Sequence, residues 1–168
     1  MKLPFFRGFD SAAAKQIAKL PAGCQKPFHI LGLMFIPSVW ALALFGQLVI
    51  TRNLTLLAAG ALTLVCIPLA TLSKFLFRRQ RPPTIYAGGM RIKSYSFPSS
   101  HAYAAALGGG FFASLAFGSG MWPLGIGLVT LIGVIGVSRV YLGAHYPTDV
   151  VGGWLIGGAV LWIILASV

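Results

Sequence analysis

LGIGLVTLIGVIGVSRVYLGAHYPTDVVGGWLIGGAVLWIILASV, Leu124 to Val168, holds a short polar insert, Ser138 to Asp149, between two apolar runs. Each run approaches the ~20 residues needed to cross hydrocarbon as a helix. The insert carries an arginine, a histidine and an aspartate in a chain with only 2 acidic residues and 3 histidines. Charges in or beside hydrocarbon are costly, so each needs a partner or a task.

The rest of the chain repeats this pattern. It is 57% apolar and 9% charged, with a mean hydropathy of +0.85, whereas a soluble domain carries about a quarter of its residues as charges. The apolar residues also fall in long blocks, which excludes an ordinary soluble core and implies an integral membrane protein. A formal net charge of +11 in a soluble chain would suggest nucleic acid. Beside hydrophobic blocks, the basic residues suit anionic headgroups or a phosphorylated substrate, and no nucleic-acid partner is expected. Cys24 and Cys66 have neither close spacing nor a metal pattern. The first 21 residues lack the apolar core of a cleaved signal peptide.

Five apolar blocks are legible, at about Phe28–Ile50, Leu54–Ser73, Ser100–Phe117, Trp122–Val137 and Val150–Ala166. Backbone groups in lipid must be satisfied within the segment, so these are helices. The last three are short, and their ends are expected to extend a few residues further. The expected fold is therefore all-α: a polytopic transmembrane bundle of about five spans over residues 28–168. Before it comes a basic segment, 1–27, whose scatter of Ala, Ile, Leu and Lys suits an interfacial helix. Gly153 and Gly157 form a small-xxx-small pair, a sign of close helix packing.

Five spans alternate sides, which puts three polar clusters on one membrane face: KFLFRRQRPP from Lys74, SYSFPSSH ending at His101, and SRVYLGAHYPTD ending at Asp149. Lys74, Arg81 and Arg139 offer more donors than the acidic residues can use, a surplus that a multiply charged oxyanion would satisfy. Amides at the start of the third helix, around Ser99, Ser100 and Ala102, add an anion site. Phosphate fits these donors. Pro147 suits the first turn of the last helix and puts Asp149 near its start. From there Asp149 could accept an imidazole N–H of His145 and leave the other ring nitrogen to attack phosphorus. His101, on the same face, is placed to protonate a departing alkoxide. The plain alternatives are a helix-end carboxylate and two interfacial histidines. A metal centre wants several carboxylates, and only Asp10 and Asp149 exist. Neither a metal nor another cofactor is expected. Tyr95, Phe97, Tyr103 and Tyr141 are candidates for lining a lipid access route, or for simple interfacial packing.

At these residues the sequence resembles the type 2 phosphatidic acid phosphatase superfamily, which also includes vanadium-dependent haloperoxidases. Lys74 to Pro82 is similar to its first motif, a lysine followed seven positions later by Arg-Pro. Pro98 to His101, PSSH, resembles the second, usually PSGH, with Ser100 in place of the glycine. Ser138 to Asp149 resembles the third. The resemblance implies a helical membrane bundle that removes phosphate from a lipid phosphate or diphosphate of the isoprenoid or glycerophospholipid class. It implies phosphate binding by Lys74, Arg81, Ser99, Ser100 and Arg139, with His145 as nucleophile, Asp149 as its orienter and His101 as general acid. Many members have six spans, one more than is legible here.

A lipid phosphotransferase would use the same phosphohistidine, and a non-enzymatic transporter or scaffold would use the polar residues to organise a pathway. Basic residues set the expected orientation. Lys2, Arg7, Lys15, Lys19, Lys26, Arg78, Arg79, Arg91 and Lys93 share the face of the motifs, against Arg52 on the other. By the positive-inside rule the active face is cytoplasmic, in a bacterial or archaeal cell membrane. Family members acting on undecaprenyl diphosphate or phosphatidylglycerophosphate often face outward, so analogy and charge disagree. Oligomeric state is not legible.

Overall fold

The computed structural model describes residues 7–83 and 94–168, and these are helical wherever they are regular. Lys2, Arg91 and Lys93, counted above for orientation, lie outside the described residues. In chain order the helices are α1 (Arg7–Ile17), α2 (Gln25–Met34), α3 (Pro37–Ile50), α4 (Leu54–Cys66), α5 (Leu69–Phe77), α6 (Ser100–Ala104), α7 (Gly110–Gly118), α8 (Trp122–Tyr141) and α9 (Pro147–Ser167).

This is an all-α, multi-helix membrane protein. Three helical runs are long and apolar enough to cross a membrane: Leu54–Phe77, Trp122–Tyr141 and Pro147–Ser167. A fourth crossing results if α2 and α3 count as one span. Large apolar side chains remain exposed along them, among them Leu42, Val49, Leu54, Val65, Leu76, Leu155 and Trp162. That is the surface lipid requires.

The helix ends follow local chemistry. Asn53 caps α4 by accepting from the Leu56 N–H at 3.1 Å. Prolines open α3, α8 and α9, where a missing N–H costs nothing. Two expected spans differ in form from the apolar blocks. Phe28–Ile50 is not one straight helix, because α2 and α3 meet at a 48° bend just before Pro37, whose ring cannot continue a helical ladder. Ser100–Phe117 is a helical run interrupted by a π turn, Ala105–Gly109, and is not among the long apolar helices. The block expected at Leu54–Ser73 continues to Phe77, so Lys74 sits inside that run. Near Pro68, between α4 and α5, the Cys66 carbonyl accepts a hydrogen bond from the Tyr103 hydroxyl at 2.9 Å. Tyr103 is thus fully buried rather than lining a lipid route.

Close packing of α9 against α6 depends on the glycine pair. A Cβ at Gly153 would lie 2.8 Å from the Ser99 carbonyl, and one at Gly157 would lie 2.6 Å from that of Tyr103. Both obstacles are backbone, which cannot swing away. The expected interfacial segment docks as well: Ala14 and Ile17 of α1 pack with Trp154 on a buried cluster of Ala102, Val140 and Val150. Helix α1 therefore lies across the end of the bundle where the polar motifs converge.

Candidate active site

The end of α8 builds the first part of the site. Gly143 has a φ of +73°, a left-handed conformation that glycine alone adopts without strain. Its N–H returns to the Val140 carbonyl at 2.9 Å, and those of Ala144 and His145 return to Arg139 at 3.0 and 3.3 Å. This turn carries the His145 ring into the interior, where only 4% of the residue is exposed.

On the other side, α5 ends at Arg78 in a left-handed conformation, with its N–H on the Lys74 carbonyl at 2.9 Å. The chain then runs past His145. Arg81 donates from Nη1 to the Ala144 carbonyl at 2.6 Å and lies 3.0 Å from His145 Nε2. Its Nε and Nη2 donate to the Ser94 carbonyl and hydroxyl at 2.8 and 3.0 Å. Arginine has five donors and no acceptor, so Nε2 must present its lone pair and the ring proton belongs on Nδ1. That nitrogen faces Asp149 Oδ2 at 3.5 Å. At this length the contact is electrostatic and not yet a formed hydrogen bond, and Nδ1 has no closer partner. Substrate-free sites often hold such pairs loosely.

Asp149 is wholly buried, and its carboxylate is held on every side. Oδ1 takes the Arg79 guanidinium at 2.6 Å. Oδ2 accepts the Ser96 hydroxyl and the Tyr146 N–H, the latter at 2.8 Å, so Asp149 also caps α9. The segment before α6 is pinned to the same place, with the Ser96 amide on the Arg79 carbonyl at 2.7 Å and the Ser99 amide on the Asp149 carbonyl at 2.9 Å. The Ser99 hydroxyl accepts from the Ala102 N–H. Ser99 is buried and used as the α6 cap. The Ser100 and His101 amides remain as helix-start donors without an acceptor inside the helix.

The Lys74 side chain, buried in the last turn of α5, makes no hydrogen bond or ion pair among the described residues. Arg139 and His101 face α2, a partner the sequence did not suggest. Arg139 Nη2 donates to the Phe28 carbonyl at 2.9 Å and to the Ser138 hydroxyl at 3.1 Å. His101 Nε2 lies 3.2 Å from the Gly32 carbonyl. Phe28 and Gly32 are one helical turn apart, and a Cβ at Gly32 would meet the Arg139 guanidinium at 2.1 Å. The charges of Arg139 and Lys74 both act on His101. Among the described residues, no group of three or more His, Cys, Asp or Glu side chains could hold a metal ion.

Lys74, Arg81, His101, Arg139, His145 and Asp149 thus come from three separate stretches to one end of the bundle. The sequence profile of the PAP2 superfamily matches residues 48–168, a range that contains all six.

The chain belongs to the PAP2 superfamily.

Among curated relatives, it is 34% identical over 109 residues to an undecaprenyl-diphosphatase of Sulfolobus acidocaldarius, covering 62% of this chain and 49% of that protein. It is 37% identical over 123 residues to a decaprenylphosphoryl-5-phosphoribose phosphatase of Mycobacterium tuberculosis, covering 71% of this chain and 65% of that one. The chain therefore spans about half to two thirds of the length of these relatives. Its fold matches the crystal structure of a transmembrane PAP2-type phosphatidylglycerolphosphate phosphatase from Bacillus subtilis. The TM-score is 0.79 and the identity 22%, covering 96% of this chain and 85% of that one.

Within this PAP2 site, two residues stand out that the motifs do not name. Arg79, counted above among the basic residues that set orientation, is 8% exposed and joins Asp149 to Asp10. Asp10, set aside above as too few carboxylates for a metal, is 5% exposed and belongs to α1. The one available signal was charge economy: with so few acids in the chain, a buried arginine must find one of them.

Proposed function

We propose that this protein is a metal-independent membrane phosphatase that removes the terminal phosphate of a polyprenyl phosphate or diphosphate through a phosphohistidine at His145. The observation that carries it is the His145 ring, with Nε2 fixed as a lone pair beside the Arg81 guanidinium and Nδ1 turned to Asp149. In the proposed reaction Nε2 attacks phosphorus, the bond to the lipid oxygen breaks, and His101 protonates that oxygen. Water then attacks phosphorus and gives a proton to His101, the phosphorus–nitrogen bond breaks with its pair returning to His145 Nε2, and phosphate is released. Lys74, Arg81, Arg139 and the Ser99–Ser100 turn would hold the phosphoryl oxygens. The polyprenyl class is supported by the names of the two curated relatives. The test is phosphate release by purified protein in detergent with a chelator present, against polyprenyl phosphates, polyprenyl diphosphates, phosphatidate and phosphatidylglycerophosphate. Turnover of the glycerophospholipids alone would move the substrate class; no release from any, by folded protein, would count against the function.

Burial pushes the His145 imidazole down to about 4, with Arg81 and Lys74 acting in the same direction and Asp149 opposing. The nucleophile is therefore neutral throughout the physiological range. Protonation removes the attacking lone pair, so the acid limb of kcat/KM, corrected for the ionisation of the substrate, should lie near about 4. An acid limb near the ordinary histidine value of ~6.5 would contradict a buried, neutral nucleophile.

The same proposal includes five spans with the active face in the cytoplasm, supported by the basic residues that gather on that face. Asn53 and Gln80 are both exposed and fall on opposite faces of that topology. In a background lacking Cys24 and Cys66, an impermeant thiol reagent on intact cells should label Asn53→Cys and spare Gln80→Cys. The reverse pattern places the chemistry outside.

A further inference from the structure

The two acidic residues of this chain converge on one guanidinium. Arg79 Nη2 holds Asp10 Oδ2 and Nη1 holds Asp149 Oδ1, both at 2.6 Å, with side-chain exposures of 10%, 6% and 0% for Arg79, Asp10 and Asp149. Thr148 closes the array: its hydroxyl accepts from Arg79 Nη1 at 2.7 Å and donates to Asp10 Oδ1 at 2.8 Å. Its N–H also donates to Asp10 Oδ1, at 2.9 Å. The Arg79 guanidinium further lies 4.2 Å from the centre of the Tyr146 ring. Both carboxylates thus sit at the start of α9, on the amides of Tyr146 and Thr148, where a helix N-terminus favours negative charge.

We infer that Asp10 and Arg79 are positioning residues for the proposed phosphoryl transfer, with Asp10 neutralising Arg79 so that Asp149 keeps its negative charge for His145. One cation between two anions leaves one net negative charge beside the ring. When Nε2 bonds to phosphorus with Nδ1 still protonated, the imidazole becomes positive, and that surplus charge stabilises it. Without Asp10, Arg79 and Asp149 would form a neutral pair, leaving the positive ring with no net counter-charge. On this account α1 belongs to the catalytic architecture, through one carboxylate.

A merely structural role and this electrostatic one differ in how the substitutions combine. Asp10→Asn should lower kcat by roughly 10-fold to 100-fold, the size of loss seen when the outer partner that orients a metal-ligating histidine is removed, with little change in KM. Arg79→Gln frees Asp149 Oδ1 from its guanidinium and leaves two buried carboxylates to repel each other, so Asp149 is no longer fixed beside the ring and the variant should be slower still and poorly folded. The double variant Asp10→Asn, Arg79→Gln restores one net negative charge on Asp149, so it should be faster than Arg79→Gln and fold better. Losses that simply accumulate, with the double variant slower than either single one, would overturn the inference, as would an Asp10→Asn enzyme with unchanged kcat. The inference rests on the phosphatase reading, so a readout without turnover is needed beside it. Nitrogen-15 labelling of the histidines reports the His145 Nδ1 proton. Its resonance should move upfield in Asp10→Asn and return in the double variant, even if no tested lipid is hydrolysed. An unmoved resonance with active wild-type enzyme refutes the charge chain alone. A moved resonance with no phosphate release from any lipid refutes the phosphatase reading alone.

Discussion

Replacing His145 with alanine should abolish turnover, by at least about 10⁴-fold in kcat, as removal of an attacking group does in enzymes that form a covalent intermediate. Binding should survive that loss. Lys74, Arg81 and Arg139 lie on α5, on the segment after it and on α8, and Arg81, the one that touches the imidazole, is also held by Ser94 and the Ala144 carbonyl. Orthovanadate or phosphate should therefore bind the variant within about tenfold of wild type, because the charge-assisted donors remain. Isothermal titration of the detergent-solubilised variant checks binding, and a phosphate-release assay checks turnover. Loss of both together would mean that His145 serves assembly and not attack. Asp149→Asn should lose much of the activity too, through the wrong tautomer and orientation of the ring.

The largest effect on stability is expected at Arg79. Replacing it with methionine leaves the Asp10 and Asp149 carboxylates buried with their shared cation gone. Breaking a buried ion pair on one side costs about 3–5 kcal/mol. The carboxylates can escape part of that cost by taking up protons, so the variant should recover relative to wild type as the pH falls. Thermal unfolding in detergent at several pH values measures this directly. A uniform loss at all pH values would point to lost packing against Tyr146 instead. Arg79→Lys keeps a charge without the fork and should lose less.

These two residues also mark how far the sequence could be read. The convergence of His145, Asp149, Arg81 and Lys74 was legible because polar groups between apolar runs are costly, and the expected alternation of spans put their segments on one face. The Gly153–Gly157 pair was legible as a packing signal, though its partner helix was not. Arg79 was hidden by its surroundings. In a run of four basic residues, Arg78, Arg79, Arg81 and nearby Lys74, spacing alone does not show which side chain turns inward. That depends on the left-handed turn at Arg78, a conformation no motif predicts for arginine. Asp10 was hidden for the converse reason: a lone carboxylate in a basic segment looks like a solvated charge until its helix docks. The contacts of Arg139 and His101 with α2 were hidden because the apolar block around Pro37 reads equally well as one straight span, with no sign of which residues face the motifs.

The central claim, attack by His145 on a lipid phosphate, is tested most directly by trapping the intermediate. Wild-type protein is mixed with a polyprenyl diphosphate labelled with ³²P at its terminal phosphate, in the presence of chelator, and quenched within one turnover. The account predicts protein-bound label that is stable in base and labile in acid, that maps to the peptide carrying His145, and that is absent from His145→Ala. Phosphate release by wild-type protein with no label on that peptide at any quench time would contradict it.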